Sequence, residues 1–391
     1  MRLFELWNRL RPLLVAFGIA LFLQAASCGD FTLFDDEDGG GDGDGDGSEA
    51  SCTVPFTRVD QYTRFDQLSA EDALDDPVAL AVVPDGASFT WDSRGLEAGD
   101  VLVADRGAGR IVAYKANGVH FNMVNNISTP GGLAFFSSIG RTEGEEDILL
   151  LFYSSGDSNS IFIEDLAGTV FPEGQSSVEV TNDVLDGTPF LEPAALAAHG
   201  DRDQALLFVL NRNRGAANAQ SIVRLALSLE ADPTFDTATL ARNFSSLQGI
   251  AYRSSSDQLF FSQNEPGIEF QDQGRIYRLT DASSRTVALD GLANPAPFIE
   301  DPDFPSPIGL AAPPTNRDAT QSSALLVTHE LVPEFLFLQF SPSNGSFEFA
   351  LGAADLDRPL AVAYDCANGR ILFTNIPYNL ELSPTLWEIR R

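Results

Sequence analysis

The residues best suited to chemistry in this sequence stand where apolar runs stop. His329-Glu330, Asn264-Glu265, Asn211-Arg212 and Asp105-Arg106 each follow a Leu/Val/Phe-rich stretch, as does Asn375. A second set precedes short repeated segments, with Asp76, Glu192 and Arg358 each immediately before a proline. Arginine beside amide and carboxylate groups suits recognition of an anionic small molecule or a peptide terminus, because guanidinium forks match carboxylate geometry. His329-Glu330 is the pair with acid–base character, although proton transfer requires a further group within hydrogen-bond reach. The competing reading of the same residues is a solvated rim whose charges pair internally. His120, His199 and His329 share no spacing typical of a metal site, and neither a Gly-x-Ser-x-Gly elbow nor a phosphate-binding glycine loop is present. These residues give no complete catalytic set, no metal site and no cofactor site. The reading leans toward binding, with an unrecognised hydrolase or lyase site around Arg212, Asn264, Glu265 and His329 as the alternative.

What places these residues is a repeat. Pro77–Ala81, Pro130–Ala134, Pro193–Ala197, Pro307–Ala311 and Pro359–Ala363 share the pattern Pro-x-(Gly/Ala)-(Leu/Val)-Ala, and Leu247–Ala251 differs at its first position and in using Ile. The closing alanines are 53, 63, 54, 60 and 52 residues apart. Proline suits the first position of a strand, where no ladder hydrogen bond is lost, and small residues allow several strands to crowd around one axis. A second strand follows in each repeat (Val101–Ala104, Leu149–Tyr153, Leu206–Leu210, Leu259–Phe261, Leu325–Val327, Ile371–Phe373), then a third. Fourth strands are drawn at His120–Val124, Val178–Thr181, Phe235–Leu240, Thr286–Leu289 and Phe347–Leu351. No long helix-period segment interrupts them.

The fold class expected is all-β: a six-bladed β-propeller of four-stranded antiparallel blades. The last repeat ends after its third strand, which leaves an edge open to unwanted pairing. Phe56–Thr63, a strand-like stretch without a blade, is expected to pair there and close the ring. In such a ring the loops into the inner strands and those leaving the second strands share one face. The residues named above then surround the mouth of the central channel.

Pro77–Ala81 together with Gly99–Tyr114 resembles an NHL repeat, whose inner strand opens on a Gly-Leu-Ala-like segment and whose next two strands are joined by an Ala-Asp-Arg…Arg-Ile stretch. Asp105, Arg106, Arg110 and Ile111 match, while Ala108 stands where Asn is usual. The resemblance is motif-specific in this first repeat and architectural elsewhere. It implies an interaction platform, not an activity. Gluconolactonase and regucalcin propellers, by contrast, carry metal-binding Asn and Asp just after inner-strand prolines. Those positions here are Val78, Gly131, Ala194, Ile308 and Leu360, with Gln248 in the remaining repeat.

The ends of the chain bear on location. Residues 1–27 read as a signal peptide: Arg2, Arg9 and Arg11 precede an apolar run, Leu13–Leu23, too short to span a bilayer. Ala25-Ala26-Ser27-Cys28 resembles a bacterial lipobox, which implies lipidation of Cys28; Ala25 departs from the usual Leu. Residues 28–51 include nine acids and no base between Gly29 and Ser51, and read as an extended tether. Asp42, Asp44, Asp46 and Gly47 also match the first half of a calcium loop, although Thr53 stands where its bidentate Glu belongs. The propeller is assigned to residues 52–391. The expected location is outside the cytoplasm, anchored only by lipid. Gly29 carries no retention signal for the inner membrane, which points to the outer one.

The remaining cysteines, Cys52 and Cys366, form an even pair in an oxidising compartment and are expected to bond across the ring closure. A formal charge of −32, with Lys115 the only lysine, repels phosphate backbones and argues against nucleic acid as a partner. The expected partner is a protein or small anionic ligand at the channel mouth, bound by a monomer.

Overall fold

The computed structural model describes residues 64–68, 74–138, 147–185, 189–213, 218–229, 233–265, 273–300, 307–312, 325–329, 337–340, 345, 347–351, 358–377 and 382–390. All lie in the unit Asp46–Arg391. The fold is a β-propeller of small, mainly antiparallel sheets; the described helical residues form only two short 3-10 turns, Ser254–Ser256 and Gly291–Ala293. No helix among the described residues is long and apolar enough to cross a membrane.

The chain opens with β1 (Arg64–Gln67). The first repeat forms β2 (Pro77–Val82), β5 (Val101–Asp105), β6 (Arg110–Tyr114) and β7 (His120–Asn125), with the hairpin β3 (Ser88–Trp91) and β4 (Arg94–Glu97) inserted after β2. The second forms β8 (Pro130–Ser138), β9 (Ile148–Ser155), β10 (Ser160–Asp165) and β11 (Ser177–Val180). The third supplies β12 (Pro193–Gly200), β13 (Gln204–Asn211), β14 (Gln220–Ser228) and β15 (Phe235–Phe244). From the fourth come β16 (Leu247–Arg253), β17 (Gln258–Glu265), β18 (Gln273–Thr280), β19 (Leu289–Asp290) and β20 (Ile299–Glu300). The fifth contains β21 (Pro307–Ala311), β22 (Leu325–His329), β23 (Phe337–Phe340) and β24 (Phe347–Leu351). The last contributes β25 (Pro359–Asp365), β26 (Arg370–Asn375) and β27 (Thr385–Arg390).

Five of the resulting sheets are four-stranded blades, as the repeat predicts; the sheet of the third repeat has five strands, which corrects the expectation of uniform blades. Its extra member is β19, which leaves the fourth repeat and pairs parallel to β15. The fourth strand drawn at Thr286–Leu289 is therefore corrected as well. That place is taken by β20, where Arg275 and Ile276 pair with Glu300 and Ile299. Asp290 accounts for the diversion: its carboxylate accepts from Asn243 Nδ2 at 3.0 Å and pairs with Arg242 at 3.4 Å, which holds the segment against the neighbouring sheet.

The ring closes as the open edge demands, but with a different segment. β1 pairs antiparallel with β27, with Phe65 opposite Ile389, so Arg64–Gln67 takes the outer place in the last blade. Phe56–Thr63, expected there, lies outside the described residues. Each inner strand packs beside the next, and β25 packs beside β2. The second strands are sandwiched between neighbouring sheets and buried throughout in β5, β9 and β26, which explains their unbroken apolar runs. The core accordingly lies between blades: Phe152 and Ile161 of one sheet share a cluster with Leu207, Val209 and Leu225 of the next.

All six inner strands begin with a β-bulge, an extra residue that breaks the ladder locally. In four of them a hydroxyl satisfies the loosened backbone. Ser154 Oγ accepts from Gly132 N–H (2.7 Å), Ser262 Oγ from Gly249 (2.9 Å), Thr328 Oγ1 from Gly309 (2.9 Å) and Thr374 Oγ1 from Ala361 (3.1 Å). Three of these hydroxyls also donate to the next inner strand: Ser154 to Pro193 O, Thr328 to Leu360 O and Thr374 to Pro77 O. The strands run so close here that a Cβ at Gly309 would lie 2.2 Å from Leu360 O. Replacing Thr374 by valine keeps the shape but strands a buried N–H and removes the bond across the ring closure. A loss of about 1–3 kcal/mol is expected, read as a lower midpoint in urea.

A buried carboxylate adds a pH dependence. Glu164 accepts from Tyr153 Oη at 3.0 Å, yet burial raises its pKa above the ordinary range. A raised carboxyl pKa favours the folded state most below the unfolded pKa. That contribution is lost as pH rises through the folded value. Glu164→Gln is therefore expected to be more stable than the parent at neutral pH, with the difference vanishing in acid. Thermal unfolding across pH 3–8 checks the sign.

Candidate functional site

The inner strands lead their first residues to one mouth of the channel, and the register shows what surrounds them. Pro77, Pro130, Pro193, Leu247, Pro307 and Pro359 pair with Asp105, Ser155, Asn211, Gln263, His329 and Asn375. All six partners are polar residues at or near the end of a second strand, and all are buried.

Their bonds show why a polar group stops the apolar run. Asp105 accepts from the N–H groups of Asp75 (3.0 Å) and Asp76 (2.8 Å) and pairs with Arg110 across the hairpin (3.0 Å). Asn211 accepts from Leu191 N–H (3.2 Å) and donates to Pro189 O (2.8 Å). Asn375 accepts from Arg358 N–H at 2.9 Å. Each thus holds the loop that leads into its own inner strand. Asp105, Asn211 and Asn375, expected from the sequence to face a ligand, are buried and bonded to backbone groups of these loops. His329 occupies the equivalent position and is 1% exposed.

The rim itself is made by their neighbours. A cavity of about 120 Å³ opens among the inner strands, and Arg106, Thr129, Glu192, Arg212 and Gln248 are the polar side chains that line it. Arg106 pairs with Asp76 at 2.7 Å, and Arg212 Nη2 donates to Gln248 Oε1 at 2.9 Å. Of the residues read from sequence, the structure brings Arg106, Glu192 and Arg212 into one cavity, with Asp76 behind Arg106. Asn264 and Arg358 are half-buried and outside that lining. The side chains of Glu265 and Glu330 lie outside the described residues, as do Cys28 and Cys52.

Backbone conformation marks three rim positions. Thr129, Glu192 and Ser246, each just before an inner strand, have φ of 54°, 55° and 52°. Left-handed geometry costs non-glycine residues on the order of 1–3 kcal/mol and persists only where the surroundings enforce it. At Glu192 the enforcement is visible: its N–H donates to Asn159 Oδ1 (2.7 Å) and its carbonyl accepts from Arg212 N–H (3.1 Å). Equivalent carbonyls at Asp76, Thr129, Ser246 and Arg358 accept from residues 106, 156, 264 and 376. The carboxylate of Glu192 is the one acid among the described lining residues.

The positions after the inner-strand prolines (Val78, Gly131, Ala194, Ile308 and Leu360) also line this cavity, along with Gln248. One amide already accepting from arginine does not fit a divalent cation, which takes several oxygen donors. Among the described residues, no group of three or more His, Cys, Asp or Glu is placed to hold a metal.

The opposite mouth was missed by sequence reasoning. There the inner strands end around a cavity of about 350 Å³ lined by Phe135, Phe136, His199, Tyr252 and Tyr364, with Cys366 at its side. His199 packs tilted against Tyr252 at 4.7 Å between ring centres, and Tyr252 stacks on Phe208 at 4.8 Å. The signal was available in aromatic residues placed at the ends of the repeated segments, beyond their small residues.

No family model matches the chain. No curated protein matches it either. Solved structures do. A gluconolactonase from Xanthomonas campestris is 14% identical over 85% of this chain and 91% of its own, with a TM-score of 0.52. A glucose dehydrogenase is 12% identical over 83% of this chain and 99% of its own, with a TM-score of 0.51. At such identities the likeness concerns the fold, and the fold it shows is the β-propeller.

Proposed function

We propose that the channel mouth takes one small molecule bearing a carboxylate, ester or lactone group, and that the protein hydrolyses such a carbonyl instead of only presenting a surface. The supporting observation is the cavity, in which Arg106 and Arg212 from separate repeats line the same small recess as Glu192. Guanidinium N–H groups aimed at a carbonyl oxygen favour the charge that develops when water attacks. Glu192 would take the proton from that water. The acyl C–O bond then breaks, and the proton passes to the departing oxygen, leaving an acid and an alcohol. The names of the structural neighbours, a gluconolactonase and a glucose dehydrogenase, denote small-molecule enzymes and support this class of site.

The second reading is the non-catalytic one, in which the same arginines hold an anionic ligand or peptide terminus. The tether-like composition of residues 28–51 favours it, since it suits presentation of a disc at a membrane. For either reading we place the protein outside the cytoplasm, lipidated at Cys28, with an NHL-like first repeat. The test is proton release from a panel of small lactones and esters, with parent and Glu192→Gln proteins compared. Turnover that the variant loses supports hydrolysis. Saturable carboxylate binding without turnover overturns hydrolysis and supports the second reading.

A further inference from the structure

We propose that the cavity at the opposite mouth of the channel is a second ligand site, and that it takes a small organic cation with an apolar body, an alkylated ammonium in chemical class. The site is separate from the one built around Arg106, Glu192 and Arg212, and it stands whether or not that one hydrolyses anything.

Size is the first observation. The cavity holds about 350 Å³, against about 120 Å³ for the recess that contains the arginines. Pockets for small organic molecules begin at roughly 300 Å³. Leu80 and Leu133 line both cavities, so the two meet at an apolar waist.

The walls decide what kind of molecule fits. Phe135, His199, Tyr252 and Tyr364 bring four rings to the cavity. The faces of Phe and Tyr rings are negative, and they attract a cation that lies within about 6 Å of the ring centre. Asp85 and Asp201 are the acids of the described lining, which contains no Lys or Arg. Arg202 and Arg253 adjoin lining residues in the chain but are not part of the lining. A net charge of −32 draws cations toward the surface from further away. An anion would therefore meet like charge here, whereas an ammonium with apolar substituents gains from rings and carboxylates together.

These walls are fixed before a ligand arrives. Tyr252 Oη donates to Asp257 Oδ1 at 2.9 Å, and Asp257 Oδ2 accepts from Ser283 Oγ at 2.7 Å. Phe208 and His199 both pack against the Tyr252 ring, and Phe135 packs on Phe89 at 6.4 Å between ring centres. Asp201 Oδ1 accepts from the N–H groups of Asp203 and Gln204, both at 2.9 Å, which holds the carboxylate in the turn between β12 and β13. Rings and a carboxylate held this way have little freedom left to lose on binding, and that favours affinity.

The test is calorimetric titration of the full chain with benzyltrimethylammonium, beside benzyl alcohol as its neutral counterpart. Saturable one-to-one binding of the cation is expected, with a Kd on the order of 1 mM or tighter for a ligand of this size, and several-fold weaker binding of the alcohol. The Arg106→Ala/Arg212→Ala protein should bind the cation as the parent does. Phe135→Leu keeps apolar bulk and removes a ring face, and should weaken binding about three- to tenfold. Asp85→Asn/Asp201→Asn alters two exposed side chains and should weaken binding several-fold, with a smaller dependence on salt than the parent shows. Melting temperatures serve as the control for folding, and the aspartate variant carries the test if Phe135→Leu fails to fold. Absence of saturable binding, equal binding of the alcohol, or loss of binding with the two arginines would each overturn the proposal. So would an affinity that neither the ring nor the aspartate substitutions change.

Discussion

Arg370→Met is expected to lower stability by about 3–5 kcal/mol, the range for breaking a buried charge network from one side. Arg370 is 1% exposed and pairs with Asp365 Oδ2 at 2.5 Å and with Glu388 Oε2, while its Nη2 donates to Gly99 O at 2.8 Å. Asp365 and Glu388 are buried as well. Methionine fills much of the arginine volume but leaves both acids without their shared counter-charge. The bond to Gly99 matters separately, because it joins the last blade to the first. At roughly 2–4 °C per kcal/mol for a domain of this class, the melting temperature should fall by about 10 °C. Adding Asp365→Asn and Glu388→Gln should recover much of the loss, since no stranded charge then remains. By contrast, Arg94 lies over the Phe121 ring at 4.6 Å on an exposed hairpin, and Arg94→Ala should cost under about 1 kcal/mol. Thermal unfolding of the four proteins separates these outcomes. Equal small losses for Arg370→Met and Arg94→Ala would mean that closure of the ring does not depend on the buried network.

The second large effect concerns turnover. Glu192→Gln keeps the shape of the side chain and removes its basicity. Hydrolysis is expected to fall by about 10²–10⁴-fold, the usual contribution of a positioned base. Binding of a small carboxylate should persist, because Arg106 and Arg212 are untouched. A structural role predicts a different outcome, with the melting temperature falling along with activity. The left-handed backbone at residue 192 is unaffected by a change of side-chain amide for acid, so stability should hold. Measurement of kcat and KM separately, with the melting temperature as control, distinguishes the two.

The inner ring was legible in the sequence because crowding around an axis imposes a strict demand. Gly249 and Gly309 admit no Cβ without meeting backbone at 2.2 Å, so small residues recur at fixed places. The second strands were legible for the complementary reason, since burial on both faces requires unbroken apolar runs. The outer strands carry weaker constraints. β20 is two residues long and β19 pairs parallel with a neighbouring sheet, and neither leaves an alternating pattern to read. The same limit displaced the closing strand from Phe56–Thr63 to Arg64–Gln67.

At the candidate site, residue type and residue position lead to different places. Asp105, Asn211 and Asn375 looked like ligand-facing polar groups, yet the end of a second strand is where loop N–H groups need acceptors. Arg106 and Arg212, one residue further on, are past that demand and reach the cavity. A polar residue ending an apolar strand opposite a proline is therefore best read as a loop anchor, and its successor as the candidate rim residue. Glu192 stands out in the sequence because it precedes a proline. Its left-handed backbone was not readable, because Glu has no preference that announces it.

The most direct test of the Arg106–Glu192–Arg212 site is calorimetric titration of the full chain with small hydroxy-carboxylates, in parallel with the Arg106→Ala/Arg212→Ala variant. Saturable binding to the parent, abolished in a variant whose melting temperature is unchanged, is the predicted result. Binding that survives loss of both arginines, or a parent that binds none of these acids, would contradict the assignment of the channel mouth as the functional site.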